Sequence, residues 1–126
     1  MSKARPLIAI VDDEEPVRRA LRRLIRSAGL DAEIFAGGAE FIQSLAHRAP
    51  DCVVLDLHMP GVSGFDVQCH LAQLPVRIPV VAITGRDSDE SRARAATGGA
   101  TAYLRKPVDG QMLLETVALA IEGESN

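Results

Sequence analysis

The fold of this chain is indicated first by residues 52–64, which read CVVLDLHMPGVSG. The first four of these residues form an apolar run, typical of a strand that is buried on both faces. The run stops at Asp56, and a segment rich in Pro and Gly turn residues follows. A helical pattern of apolar residues then begins at Phe65 and continues to residue 74. This segment predicts a buried strand with a carboxylate at its end, then a turn and a helix.

The same order of strand and helix recurs in the rest of the chain. Four further apolar runs predict strands at residues 7–11, 33–35, 80–83 and 102–104. The amphipathic stretches between and after them predict helices at residues 16–28, 38–46, 87–96 and 110–121. In the fourth helix, Asp87 and Glu90 have the spacing of a capping pair. Doubly apolar strands that alternate with helices are typical of a parallel sheet covered on both sides, so we expect an α/β fold.

The composition indicates one globular domain with an aliphatic core. The chain has 126 residues, of which 47% are hydrophobic, 25% charged and only 3% aromatic. A chain of this length can bury a sizeable core without disulfides, and Cys52 and Cys69 have no metal-binding spacing. We expect a single domain over residues 1–126, with its core at about 7–121. The shortage of aromatic residues argues against a stacking platform for single-stranded nucleic acid.

Charge and hydropathy limit the expected partners. The net charge of −3 argues against direct binding to nucleic acid or anionic lipid. The arginines that follow Val17 suit either a nucleic-acid patch or a solvated helix face, and the acidic chain favours the solvated face. No apolar run approaches the ~20 residues that span a bilayer, and no signal-peptide pattern is present. We therefore expect a cytoplasmic protein without membrane contact.

Polar side chains stand where the predicted strands end. Asp12 and Asp13 follow the first strand, Asp56 the third, Thr84 the fourth and Lys106 the fifth. Each of them alone has a simpler explanation as a cap, a turn or a surface residue. Ligands of open parallel sheets, however, bind beyond the carboxyl ends of the strands. The coincidence of five such residues at five strand ends therefore predicts a site.

The chemistry of this predicted site follows from its charges. Three carboxylates in one place repel each other and favour a bound cation. Mg²⁺, or Mn²⁺ in its place, suits oxygen ligands and leaves positions for phosphate oxygens. A carboxylate that attacks phosphorus forms an acyl phosphate, and Lys106 and Thr84 can contact the phosphoryl oxygens. The cluster predicts metal-dependent phosphoryl transfer to a carboxylate.

These motifs resemble the receiver domains of two-component response regulators. The resemblance rests on Asp12-Asp13, residues 54–64, Thr84-Gly85 and Lys106-Pro107, and it covers most of residues 7–121. It implies a flavodoxin-like (βα)5 fold, a doubly wound parallel sheet with strand order 2-1-3-4-5. The topological switch point of that fold lies between the first and third strands, where the carboxylates would meet.

The resemblance assigns the central roles residue by residue. Asp56 would be the phosphoacceptor. Asp13 and Asp56 would ligate Mg²⁺ through their side chains and His58 through its backbone carbonyl, with Asp12 assisting through water. The His58 ring is the alternative ligand, which the family does not use. Lys106 would contact the phosphoryl group.

Further roles follow from the same resemblance. Thr84 and Tyr103 would form the switch pair that responds to phosphorylation. His58 and Arg86 occupy positions that tune phosphate lifetime, and neither is an amide or carboxylate that positions water. We therefore expect slow autodephosphorylation and no other enzymatic activity. The Lys106-Pro107 peptide bond is expected to be cis.

The partners that the family implies are proteins. A sensor histidine kinase or a histidine phosphotransfer protein would supply the phosphoryl group. An output domain or partner protein, or a second copy in a phosphorylation-dependent homodimer, would bind the surface of the fourth helix, fifth strand and fifth helix. The sequence as a whole is similar to those of receiver domains that often precede LuxR-type DNA-binding domains.

Two other functions fit parts of the pattern. A receiver-like interaction module would keep the fold without taking phosphate, although the complete set of strand-end residues argues against it. A phosphatase of the haloacid dehalogenase type also forms an aspartyl phosphate. That class needs Asp-x-Asp after the first strand, whereas Asp12 and Asp13 are adjacent. A nucleotide-binding fold is not expected, because no glycine-rich phosphate loop follows a strand.

Overall fold

The computed structural model describes residues 5–125, with side chains up to residue 123. The strands are β1 (Leu7–Val11), β2 (Asp31–Phe35), β3 (Cys52–Asp56), β4 (Val80–Thr84) and β5 (Ala102–Arg105). The helices are α1 (Glu15–Ser27), α2 (Gly38–Ser44), α3 (Gly64–Ala72), α4 (Asp89–Thr97) and α5 (Gly110–Ser125). Strands and helices alternate throughout, as the sequence predicts. Residues 1–4 and 126 of the expected domain lie outside the described residues.

The strands form one parallel sheet in the order β2-β1-β3-β4-β5, which confirms the expected flavodoxin-like topology. The central strands β1, β3 and β4 are buried along their whole length, because they lie between helices and are apolar on both faces. The edge strand β2 is half-buried, and β5 is half-buried except for its exposed last residue. Because the strands are parallel, their carboxyl ends lie at the same edge of the sheet.

Helices cover both faces of this sheet. On one face, α1 and α5 pack against the strands through apolar side chains that include Ile25 and Leu113. On the other face, α2 and α3 do the same through Phe41 and Val67. The chain therefore has two hydrophobic layers, one on each side of the sheet, built from aliphatic residues with little aromatic content.

Helix α4 is anchored by small residues. Its buried residues are Ser91 and Ala95, and Ala95 packs with Leu57 and Phe65 in a separate small cluster beside β4. Gln68 of α3 donates a hydrogen bond from its Nε2 to the Ala95 carbonyl oxygen at 2.9 Å. Because small side chains remove little apolar surface from water, α4 is held less firmly than the helices that bury Ile, Leu or Phe.

The predicted start of α4 is wrong in one respect. Ser88 is the N-cap, and its hydroxyl accepts a hydrogen bond from the Ser91 amide at 3.0 Å, so Asp87 and Glu90 do not form a capping pair. A Ser hydroxyl satisfies a free amide of the first turn as well as a carboxylate does. Asp87 lies one residue outside the helix, and its carboxylate bonds to Tyr103 instead.

Other element ends differ by a few residues from the prediction. β2 begins two residues earlier, at Asp31, where it pairs with Leu7 of β1. α2 ends at Ser44 rather than at residue 46, and α3 ends at Ala72 rather than at residue 74. α5 continues beyond residue 121 to Ser125. The ends of helices and strands depend on local contacts with the sheet and with solvent. Hydrophobic periodicity alone does not determine those contacts.

The two cysteines differ in burial. Cys52 is buried in β3, and burial raises the pKa of its thiol to about 12, while Cys69 is exposed on α3. Neither belongs to a group of potential metal ligands in the described part of the chain. No helix within residues 5–125 is long and apolar enough to cross a membrane.

Candidate functional site

The sheet brings the predicted acidic residues together at the ends of β1 and β3. Val11 and Leu55 are paired across these neighbouring strands, so the next residue on each is an aspartate, Asp12 and Asp56. Asp13 follows directly. Carboxylate oxygens of these three aspartates lie within 4.8 Å of one another. The strand order therefore creates the acidic cluster, since β1 and β3 are adjacent only because the chain reverses its winding direction there.

The three aspartates differ in burial and in hydrogen bonding. Asp12 is fully buried, and its Oδ1 accepts a hydrogen bond from the Glu14 amide at 2.8 Å. Asp56 is 3% exposed, and its Oδ1 accepts a hydrogen bond from the His58 amide at 3.3 Å. Asp13 is exposed at the mouth of the cluster. The cluster is thus open to solvent on the side of Asp13 and closed behind Asp12.

Lys106 supplies the positive charge that this cluster needs. Its Nζ lies 2.7 Å from Asp12 Oδ2, 3.1 Å from Glu14 Oε1 and 3.4 Å from Asp56 Oδ2. The residue follows β5, and its peptide bond to Pro107 is cis, as the resemblance implies. A single ammonium group therefore offsets part of the repulsion among the carboxylates.

Burial and charge raise the pKa values of both Asp56 and Lys106 above those of free side chains. Burial, reinforced by the negative charge of Asp12, raises the pKa of Asp56 to about 7 even though Lys106 acts to lower it. Burial alone would lower the pKa of Lys106, but the contacts with Asp12 and Asp56 outweigh burial and raise it to about 12. Lys106 is consequently charged at neutral pH, whereas Asp56 is close to its midpoint.

The residues present fit a divalent cation. Asp12 Oδ2 is buried, and the Lys106 ammonium lies 2.7 Å from it. Carboxylate oxygens of three aspartates within 4.8 Å of one another, with one ammonium group beside them, are a suitable environment for Mg²⁺. The His58 ring is not part of the cluster, because its Nε2 lies 3.3 Å from Ser91 Oγ on α4. The His58 amide, by contrast, contacts the cluster through its hydrogen bond to Asp56 Oδ1.

The expected switch residues lie on the next two strands. Thr84 ends β4 and is fully buried, and its Oγ1 accepts a hydrogen bond from the Arg86 amide at 2.9 Å. Tyr103 lies on β5 with its ring half-buried, and its hydroxyl donates a hydrogen bond to Asp87 Oδ1 at 2.9 Å. Thr84 therefore belongs to the edge of the sheet that carries the acidic cluster, while Tyr103 faces the start of α4.

Comparison with known proteins identifies the family. The response regulator receiver domain family matches residues 8–118 of this sequence. The chain belongs to this family. Receiver domains are the signalling domains of two-component response regulators rather than classical enzymes, and they bind Mg²⁺ in general. The strand order is that of this family's fold.

Several relatives match nearly all of this chain. Nodulation protein W of Bradyrhizobium diazoefficiens is 38% identical over 96% of this chain and 53% of its own. Response regulator protein TodT of Pseudomonas putida is 34% identical over 97% of this chain and 54% of its own. The receiver domain thus spans about half the length of the curated relatives it matches. A solved response regulator receiver protein from Burkholderia phymatum is 40% identical, with a TM-score of 0.83 over 93% of this chain and 95% of that one.

Three contacts in this receiver domain were not predicted from the sequence. Arg18 donates from its guanidinium to the Asp12 carbonyl oxygen at 2.8 Å, although its spacing placed it on the solvated face of α1. Glu14 contacts Lys106 from the loop after β1. Asp87 binds the Tyr103 hydroxyl. Glu14 adjoins two aspartates and could have been included in the cluster, whereas nothing in the periodicity signals the other two contacts.

Proposed function

We propose that this receiver domain accepts a phosphoryl group on Asp56 from a sensor histidine kinase or a histidine phosphotransfer protein, in a Mg²⁺-dependent reaction. One observation carries the proposal. The Asp56 carboxylate lies at the end of a central strand, beside two further aspartates and 3.4 Å from the Lys106 ammonium. A nucleophile, candidate metal ligands and a cation for the phosphoryl oxygens are thus within contact of one another.

Each residue has a role that matches its position. An Asp56 oxygen forms the bond to phosphorus as the phosphorus–nitrogen bond of the donor phosphohistidine breaks, and the imidazole leaves with its electron pair and takes up a proton. Lys106 binds a phosphoryl oxygen, which replaces part of its contact with Asp12 and Asp56. The Thr84 hydroxyl donates a hydrogen bond to another phosphoryl oxygen.

The metal would be held by oxygen ligands. Asp13 and Asp56 would ligate it through their carboxylates and His58 through its backbone carbonyl, and Asp12 would act through water. Bound Mg²⁺ supplies charge neutralisation and orientation of the phosphoryl oxygens. The chain's own contribution is to hold Asp12 buried and Asp56 within reach of Lys106.

Phosphorylation would change the surface that the domain presents to its partners. We assign Thr84 and Tyr103 as the switch pair, and the surface of α4, β5 and α5 as the face that an output domain, a partner protein or a second copy binds. The half-length match to the curated relatives supports an output domain in the natural protein. Residues 1–126 would form its single receiver domain. His58 and Arg86 would set the lifetime of the phosphoryl group.

The rival functions are less well supported by the geometry. A phosphatase of the haloacid dehalogenase type needs its nucleophile after the first strand. There Asp12 is buried, with the Lys106 ammonium 2.7 Å from its Oδ2, and Asp13 lies beside it without an intervening residue. An interaction module that takes no phosphate would have no need of a carboxylate cluster with a buried lysine.

Incubation with acetyl phosphate and Mg²⁺ tests the proposal. The intact mass is expected to rise by one phosphoryl group, and neutral hydroxylamine is expected to remove that gain, because it cleaves acyl phosphates and not phosphate esters. Addition of EDTA before the donor is the control and should prevent labelling. An unchanged mass with acetyl phosphate and with a histidine phosphotransfer donor would leave the interaction module as the function.

The raised pKa of Asp56 predicts a pH-dependent metal affinity. With the pKa at about 7, a proton competes with the metal below neutrality, so the apparent Kd for Mg²⁺ should rise about tenfold between pH 8 and pH 6. Lys106 stays charged over this range, and burial together with Arg86 and Arg94 lowers the pKa of His58, which moves its titration away from neutrality. Amide chemical shifts during Mg²⁺ titrations at both pH values measure the effect. Equal Kd values would show that Asp56 does not ligate the metal in competition with a proton.

A further inference from the structure

Asp87 occupies the loop that joins the switch strand β4 to α4. It lies outside the helix, since Ser88 provides the N-cap, so its carboxylate is not used to cap α4. Instead, Oδ1 of Asp87 accepts a hydrogen bond from the Tyr103 hydroxyl at 2.9 Å. The hydroxyl of a residue on an edge strand is therefore bound to the loop that follows the neighbouring strand.

Two arginines strengthen this contact. Arg92 of α4 places Nη2 3.3 and 3.2 Å from the two carboxylate oxygens of Asp87, and its guanidinium carbon lies 5.3 Å from the centre of the Tyr103 ring. Arg105 of β5 lies 3.7 Å from Asp87 Oδ2. Asp87 thus connects α4, β5 and the loop, and Tyr103 is held at its hydroxyl by the carboxylate and at its ring by the guanidinium.

The same loop is connected to Thr84. The Arg86 amide donates its hydrogen bond to Thr84 Oγ1, and Asp87 is the next residue along the chain. A displacement of Thr84 therefore shifts the backbone that carries the Asp87 carboxylate. Because α4 buries only small residues, this loop and the start of the helix can move at a lower free-energy cost than the central strands.

We infer that Asp87 is the positioning residue that holds the Tyr103 hydroxyl at the outer edge of the sheet in the unphosphorylated domain, so that Tyr103 turns inward only after this contact is broken. The inference rests on the proposed roles of Asp56, Thr84 and Tyr103. It adds a specific opposing interaction to the switch. No contact joins Asp87 to the acidic cluster or to Lys106 in the described part of the chain, so it would act on phosphorylation from a distance, through Tyr103.

The absorbance and fluorescence of Tyr103 can be measured without an added label, because the chain contains one Tyr and no Trp. Burial, the hydrogen bond to Asp87 and the charge of Asp87 all raise the pKa of the Tyr103 hydroxyl. In the Asp87→Asn variant, tyrosinate absorbance should therefore appear at lower pH than in the wild type, closer to about 10. Tyrosine fluorescence at neutral pH should increase as well, because a carboxylate acceptor quenches the excited hydroxyl.

The matched control is Asp89→Asn. Asp89 carries the same charge two residues further along and is exposed, and its side chain makes no hydrogen bond or ion pair within the described part of the chain. Its replacement should leave both optical signals of Tyr103 at the wild-type values. This optical comparison does not depend on phosphorylation, so it tests the contact even if the proposed function fails.

The effect on switching is measured with beryllofluoride and Mg²⁺, which stand in for the phosphoryl group. Asp87→Asn keeps an acceptor oxygen but removes its charge, which weakens the hydrogen bond from Tyr103 and should tighten beryllofluoride binding by about three- to tenfold. Tyr103→Phe removes the same hydrogen bond from the other side. The double variant should bind beryllofluoride no more tightly than Tyr103→Phe alone, because both changes act on the same contact.

The possible outcomes test the Asp87–Tyr103 contact and the positioning role of Asp87 separately. Unchanged Tyr103 absorbance and fluorescence in Asp87→Asn would overturn the contact itself. Altered optical signals with an unchanged beryllofluoride affinity would overturn the positioning role. Tighter binding that persists undiminished in the Tyr103→Phe background would show that Asp87 acts through another residue. Failure of the wild type to bind beryllofluoride or to be labelled would count against the proposed function and not against the Asp87–Tyr103 contact.

Discussion

Asp56→Asn is expected to lose all labelling by acetyl phosphate and, without metal, to be more stable than the wild type above neutral pH. Labelling is lost because an amide oxygen is not a nucleophile toward phosphorus. The gain in stability follows from the pKa of Asp56, which folding raises from 3.8 to about 7. The folded state binds this proton more tightly than the unfolded state, so ionisation of Asp56 destabilises the fold increasingly between pH 4 and pH 7.

The size of this gain depends on pH. We expect about 4 kcal/mol at pH 8, which is the free energy of a pKa raised from 3.8 to about 7, and well under about 1 kcal/mol at pH 4, where the folded carboxyl group is protonated and the unfolded one only partly ionised. Urea unfolding in EDTA at the two pH values measures it. Glu33→Gln, which neutralises an exposed carboxylate on β2, is the control for charge and should change neither property. Equal stabilisation at pH 4 and pH 8 would show that side-chain charge is not the cause.

The sheet could be predicted because each strand is encoded locally. A central strand such as Cys52–Asp56 must be apolar on both faces to lie between two helix layers, and this requirement appears directly in the sequence. Element ends were predicted less well. Whether Asp87 or Ser88 caps α4 depends on which side chain has a competing partner, and the partner of Asp87 lies on β5, sixteen positions away.

Much of the candidate site could be predicted for a topological reason. In a parallel sheet the strand ends share one edge, so Asp12, Asp56 and Lys106 converge whatever the details of the loops. Contacts that depend on loop conformation could not be predicted in this way. Glu14 reaches Lys106 only because the turn after β1 directs it there.

The structure also changes the expected balance of charge. From the sequence, the three aspartates form a repulsive group that would raise pKa values or favour a bound cation. In the folded domain, Lys106 already lies 2.7 Å from Asp12 and 3.4 Å from Asp56. Repulsion is thus partly offset before metal binds, although burial and the charge of Asp12 still raise the pKa of Asp56 to about 7.

Gly64→Ala is expected to destabilise the domain by about 3 kcal/mol or more and to impair labelling of Asp56. A Cβ atom at Gly64 would collide with the Asp56 carbonyl oxygen and would lie 2.6 Å from Leu57 Cα. Both are backbone atoms, so no change of rotamer relieves the clash. The start of α3 and the end of β3, joined by the bond from the Gly64 amide to the Leu57 carbonyl oxygen at 3.0 Å, would have to separate.

Urea unfolding and labelling by acetyl phosphate measure the two effects of Gly64→Ala. Gly123→Ala is the matched control, since Gly123 lies in α5 with nothing within 4 Å of an added Cβ. Alanine is the better helix former, so this control should be unchanged or more stable by up to about 1 kcal/mol. Wild-type stability in Gly64→Ala would mean that the β3–α3 connection yields at low cost. The position of the Asp56 backbone would then not depend on the close approach of α3.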